Sequence, residues 1–433
     1  MARAVYASAA GAALDSNLVT GGGTDDTDVL QGVLDQAKSG DPVHLIIDGA
    51  ALVSGLDVYG CTTVECIAGA GLYLKDGSNR AILRNVHRSR DAIVDGNITI
   101  RGGFFHGNKN GQDGGMRSVT SDGETHWFPR NQEPDGSYFA GLQFFGVNDL
   151  VIENVTLWNV RAFACHVANA SRIDVRNVIV DNGIEPGDHW FNMDGFHFNG
   201  PIRYLTIDGM KLRTYDDGLT LAANDGDGGT DDLRLNNEMG PHVAQGPITD
   251  VTVNNVQFMD SLRGIRLLSS NERLDRIVIN NVTGTVQTQL ALISNHNKPS
   301  RGNFGSILFN NVAVDGIEPL APLSVIWGEK TFQKLRESGL LSAELGGAEG
   351  SLFVVNGHVE HLNLRNIVTR ASDARPVIWA GPNAAIQMLN AGLSIYDPAG
   401  QGTSLRQDEG SRIDRLDLRL NGQDEHIRRP QSA

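Results

Sequence analysis

The 433-residue chain is 40% hydrophobic and 20% charged, which supplies ample apolar material for a core and excludes large-scale disorder. A formal net charge of −15 and a pI near 5.2 argue against nucleic acid or an anionic membrane as partner. No apolar run reaches the roughly 18 residues of a membrane span.

The first residues, MARAVYASAAGAALDS, lack the run of strong apolar residues that marks a signal sequence. Residues 21–40, GGGTDDTDVLQGVLDQAKSG, predict one amphipathic helix. Asp25, Asp26 and Thr27 offer capping acceptors, Val29, Leu30, Val33, Leu34 and Ala37 keep helical spacing, and Gly40 is a stop. Cys61, Cys66 and Cys165 are too few for a disulfide framework. Cys61 and Cys66 are either a pair or two buried thiols.

From residue 95 onward one unit recurs: an alternating apolar strand, a turn often carrying Asn, and a second short strand. It is seen in NDLVIENVTLWNV (148–160), SRIDVRNVIVDNG (171–183), RYLTIDGMKLRTY (203–215), TDVTVNNVQFMDS (249–261), DRIVINNVTGTV (275–286), GSILFNNVAVDG (305–316) and EHLNLRNIVTRAS (360–372). The turn residues 154, 177, 209, 255, 281, 311 and 366 are spaced by 23, 32, 46, 26, 30 and 55 residues. A constant minimum with irregular excess is the mark of a solenoid rung with inserted loops, since no rung buries its apolar face alone. The fold class predicted is all-β, a single-stranded right-handed parallel β-helix. One domain spans 1–433, with the 27–38 helix capping the first rung and C-terminal rungs and tail over 316–433. Asn154, Asn177, Asn255, Asn281, Asn311 and Asn366 are expected to stack as a ladder. An antiparallel sandwich would instead place NG and DG hairpins between strands.

On a solenoid, residues one rung apart become neighbours. Asp194 and Asp216 are separated by 22 residues, so Asp194, Asp216 and Asp217 converge on one face. Carboxyl groups crowded this way do not all ionise freely, which leaves a protonated acid beside carboxylates. Glycoside hydrolysis requires such a set: one acid protonates the leaving oxygen and a carboxylate activates water.

The stretch NMDGFHFNGPIRYLTIDGMKLRTYDDGLTLAAND resembles the NTDGF and GDDCIAI segments of the polygalacturonase family, glycoside hydrolase family 28. LWNVRAFACHVANA is similar to that family's segment ending in His, at His166, and SLRGIRLLSS resembles its NGIRIKS segment. The likeness runs from about residue 90 to 315. It implies that Asp216 is the general acid and that Asp194 and Asp217 hold the hydrolytic water. It also implies inversion, with acid and base about 6.5–9.5 Å apart. Asn192, His166 and Arg266 fall among the substrate-binding positions. Two departures stand out. GPHVAQG replaces a Gly-His-Gly motif, so His242 either hydrogen bonds toward the acid or is a surface-loop histidine. Leu268 stands where the family has Lys, so either Arg263 compensates in binding a substrate carboxylate or the sugar is neutral or differently substituted.

Two inserts flank this region. Residues 107–139 carry His126, Trp127, Phe128 and Tyr138, and His189 and Trp190 precede Asp194; these aromatics either stack on sugar rings or pack the loops. Residues 224–240 carry Asp225, Asp227, Asp231 and Asp232, which match a calcium loop only loosely and read better as a solvated acidic loop. Closure of one groove end by these inserts would favour exo action. The expected partner is a polysaccharide or oligosaccharide, pectin-related or another acidic or galactose-type glycan, with neither cofactor nor metal required. A secreted or periplasmic location suits that partner, with a cytoplasmic one as the alternative. Competing functions on the same fold are a polysaccharide lyase or epimerase, and a non-catalytic carbohydrate-binding β-helix.

Overall fold

The computed structural model describes residues 3–112, 133–182, 193–224, 239–295, 301–317, 333, 351–370, 375–397 and 403–424. Successive rungs stack in parallel: Phe163–Asp181, Phe196–Arg213, Ile248–Ser261, Leu274–Val286, Phe304–Gly316, His358–Arg370, Ala385–Tyr396 and Arg412–Leu420. Gln423–Asp424 then folds back antiparallel on the last of them. This is the parallel β-helix that the repeat predicts.

Its register follows the turn spacing. Ile152, Val175, Ile207, Val253, Ile279, Phe309, Leu364, Ala391 and Leu418 form one continuous inward column, and all nine are buried. Removing each of the Val, Ile, Leu and Phe side chains from water stabilises the stack by about 1.5–3 kcal/mol. Asn154, Asn177, Asn255, Asn281, Asn311 and Asn366 all adopt positive φ, between 50° and 59°, a region that Asn tolerates better than bulkier residues. Their side chains form the expected ladder in two runs. Asn177 donates to Asn154, while Asn281 donates to Asn255, Asn311 to Asn281 and Asn366 to Asn311. Gly209 interrupts it, so Asn255 donates to Asp208 instead.

The helix forms over Thr27–Leu34 and tightens to a 3₁₀ turn at Asp35–Ser39, ending at Gly40 with φ 85°. Its capping differs from the expectation. Asp26 occupies the N-cap without a side-chain cap bond. Its carboxylate instead accepts from the amides of Ala13 and Leu14, tying down a segment that precedes the helix. Arg3–Tyr6 in turn pairs with Val43–Ile47, so the strand following the helix already has a neighbour. The cysteines are free thiols, and burial pushes the Cys66 thiol up to about 12.

Candidate active site

The three acids sit at the foot of two adjacent strands on the outer face. Phe196 pairs with Leu219, so the rung here is 23 residues and the true neighbour of Asp194 is Asp217, with Asp216 beside it. Beyond the acids the strands alternate. Phe196, Phe198, Leu219 and Leu221 enter the core, while His197, Asn199 and Thr220 lie on the outer face. In that outer column Gln143, His166, His197, Thr220, Arg266, Leu292, Val354 and Trp379 follow one another in register. Asp217 is in register with Arg263 on the next rung.

Asp194, Asp216 and Asp217 are 1%, 4% and 2% exposed, and their nearest carboxylate oxygens all lie within 4.8 Å of one another. The nearest oxygens are thus closer than the separation of about 6.5–9.5 Å expected between whole carboxyl groups, which stand further apart than their nearest atoms. The acids rise from consecutive rungs, and consecutive strands lie only about 4.8 Å apart. Three carboxylates this close form a pocket suited to a cation, and Arg263 fills that part. Its guanidinium contacts Asp216 Oδ1, its Nε lies 2.7 Å from Asp217 Oδ1, and its backbone N–H donates to the Asp216 carbonyl at 3.2 Å. Arg266 Nη1 approaches Asp217 Oδ2 at 3.5 Å. Arg263 is thus engaged by the acids.

Burial drives the Asp216 carboxyl upward to about 7, with Asp217 and Asp194 adding to the rise and Arg263 and Arg266 opposing it. Near neutrality this group carries a proton it can give. The Asp194 carboxyl is also raised, chiefly by burial, against the hydrogen bonds from His197 and Thr220 that favour its ionised form. Asp194 Oδ2 meets His197 Nδ1 at 2.7 Å and accepts from Thr220 Oγ1 at 3.0 Å, while Oδ1 accepts from the Asp217 amide at 3.3 Å.

The other predicted residues are placed more widely. His166 is fully buried, edge-on to Phe145 and Phe163, with Nε2 at 2.6 Å from Asn199 Oδ1. His242 makes no hydrogen bond to Asp216 or Asp217. It is stacked on Phe145 at 6.3 Å, in surroundings set by Arg88, Asp135 and Arg84, and burial lowers its proton affinity. Leu268 is buried on the outer face beyond Arg266. Tyr138 is fully buried against Phe163 at 4.6 Å, which is a packing role. Asn192, His189, Trp190, Trp127, His126 and Phe128, with Asp225, Asp227, Asp231 and Asp232, lie outside the described residues.

Upstream of the acids the outer face is crossed by the ends of both inserts. Glu133 accepts from the Ala81 amide at 2.8 Å and pairs with Arg84 at 2.5 Å. Arg88 pairs with Asp135 at 2.5 Å and donates to Gln143 Oε1 at 2.8 Å. The second insert meets the first where the Tyr138 amide donates to the Met239 carbonyl. This strap covers the rung of Gln143, two rungs before that of His197.

No family model and no curated protein matches the chain. Solved structures do. Endo-xylogalacturonan hydrolase from Aspergillus tubingensis aligns with a TM-score of 0.54 at 14% identity, over 94% of this chain and all of that one. The family 28 exopolygalacturonase of Yersinia enterocolitica aligns at 0.52 and 13%, over 97% and 78%. The chain has the fold of a family 28 β-helix. A hyperthermoactive exopolygalacturonase from Thermotoga maritima aligns at 0.50 and 11%, over 98% and 93%. Within this family 28 fold, sequence reasoning passed over His197 and Thr220. Alternation offered no signal for them: both stand three residues after an acid already singled out, which on a regular strand is the opposite face, and only the fold brings them to Asp194.

Proposed function

We propose that the protein is a glycoside hydrolase that cleaves a polysaccharide or oligosaccharide by protonating a glycosidic oxygen. The observation that carries the reading is the division of labour among three buried carboxyls: Asp216 is protonated up to about pH 7, while Asp194 is hydrogen-bonded as an acceptor. Asp216 gives its proton to the leaving oxygen. A water held between Asp194 and Asp217 gives its proton to that pair as its oxygen bonds to the anomeric carbon. Oxygens within 4.8 Å are spanned by one water making two ordinary hydrogen bonds of about 2.7 Å.

Both nearby arginines are engaged by the acids, and Leu268 adds no charge, so the sugar that fits is a neutral or substituted unit of an acidic or galactose-type glycan in preference to free galacturonan. Arginine stays protonated throughout the working pH range, so Arg263 and Arg266 supply charge and do not act as the base of a lyase. The test is product analysis over pectic, algal and bacterial glycans. New reducing ends without unsaturated uronates support hydrolysis. Unsaturated products would assign a lyase, and binding without cleavage would assign a recognition module. The anomer of the first product reads the water step: inversion supports direct attack, and retention would make one of the pair a covalent nucleophile.

A further inference from the structure

We infer that His197 is a positioning residue for the reaction, holding Asp194 as the water-activating carboxylate so that the base is a two-residue unit. This rests on the hydrolytic reading above. The two arginines contact Asp216 and Asp217, whereas Asp194 is supported by dipoles: His197 Nδ1, the Thr220 hydroxyl and the Asp217 amide. A buried carboxylate stays ionised only when such donors replace water. With its proton on Nδ1, His197 supplies the shortest of the three, at 2.7 Å.

The ring has little freedom to do otherwise. Phe163 stacks on it at 4.2 Å and 13°, and His166, itself held by Asn199, meets it edge-on at 5.4 Å. His197 is 3% exposed, so this bond does not compete with bulk water. The groups facing the pair are Asp217 and Asp216 from the next rung, Arg263 and Arg266 beyond them, and His166 from the rung before. When the water proton reaches Asp194, the imidazole remains on the same carboxylate and keeps its geometry through the step.

The experiment compares His197→Leu with His197→Asn, whose amide restores a donor. Leu is expected to lower kcat about 10- to 100-fold with KM little changed, the loss of one charge-assisted hydrogen bond. It also moves the acidic limb of kcat/KM upward by about one to two pH units, and Asn recovers part of both. An unmoved acidic limb, or an Asn variant as impaired as Leu, overturns the inference. A second measurement needs neither turnover nor the Leu variant to fold. In an NMR titration, the His197 imidazole midpoint is expected to fall in Asp194→Asn, because the carboxylate charge is gone. An unchanged midpoint overturns the pairing, whereas failure of the wild type to cleave any glycan counts against the hydrolytic reading instead.

Discussion

Asp217 stands one rung above Asp194 and ties to it through its own backbone, its amide donating to Asp194 Oδ1 at 3.3 Å. The distance between the two carboxyls is therefore a property of strand stacking, not of loop conformation. Asp216 and Asp217 share Arg263, whereas Asp194 is held by His197 and Thr220, and this difference in neighbours separates the roles of otherwise identical side chains.

Asp216→Asn is expected to reduce kcat by about 10²–10⁴-fold, the range for loss of a general acid, with KM largely kept. Its effect on stability has the opposite sign. The carboxyl is raised to about 7 in the folded chain from an unfolded value near ~3.9. Its stabilising contribution is complete below the unfolded value and is lost as pH rises through about 7. Asn cannot ionise, so the variant should melt higher than the wild type at pH 8 and show no such gain at pH 4. Equal melting curves at both pH values would count against a raised Asp216.

The pH profile of kcat/KM should be bell-shaped. Activity falls on the alkaline side as Asp216 loses its proton near pH 7, and on the acidic side as Asp194 gains one, above the ordinary Asp range because that group is also raised. These limbs belong to the coupled cluster, so substituting either acid shifts both. An alkaline limb well above pH 9 would remove Asp216 from the proton-donor role.

Arg263→Leu leaves two buried carboxylates without their closest cation and should destabilise the chain by about 3–5 kcal/mol, read by denaturant unfolding. Arg263→Lys cannot reach both acids with a planar fork and should restore only part of the loss. Arg266→Leu, whose Nη1 stands 3.5 Å from Asp217 Oδ2 against 2.7 Å for Arg263 Nε from Asp217 Oδ1, should cost less stability. If the two Leu variants unfold alike, Arg263 is not the counter-charge of the cluster.

The strap over the rung of Gln143 leaves about two strand spacings, roughly 10 Å, between it and the acid rung. That length holds one or two sugar units, so end-wise release of short products is expected from a long chain. Viscosity should then fall slowly compared with the appearance of reducing ends. A rapid fall with a ladder of intermediate lengths would mean that chains pass beneath the strap.

Much of this is legible in the sequence. The Asn turns gave the rungs because a positive-φ corner and an apolar alternation recur together, and both are local properties. The acids followed from rung arithmetic, although Asp216 was paired with Asp194 where the register pairs Asp217. What stayed hidden depends on long separations. Arg263 reaches Asp216 across 47 residues, a step set by an insert that spacing cannot measure. His242 lies at the far end of that same insert, and the fold carries it upstream to Phe145, away from the acids. Asp26 shows the local counterpart: composition marks a capping residue, but its carboxylate is taken by amides 12 and 13 residues earlier in the chain.

The inward column from Ile152 to Leu418 also determines which lengths of chain are permissible. Deleting one residue within Asp217–Ala222 would exchange inside for outside over the rest of that strand, turning Leu219 and Leu221 to solvent and Thr220 to the core. The exit from the strand is held as firmly as its centre: Ala223 is buried in the core and Asn224 Oδ1 accepts from the Ser270, Asn271 and Glu272 amides. Length variation is therefore forbidden in the segments that align the acids.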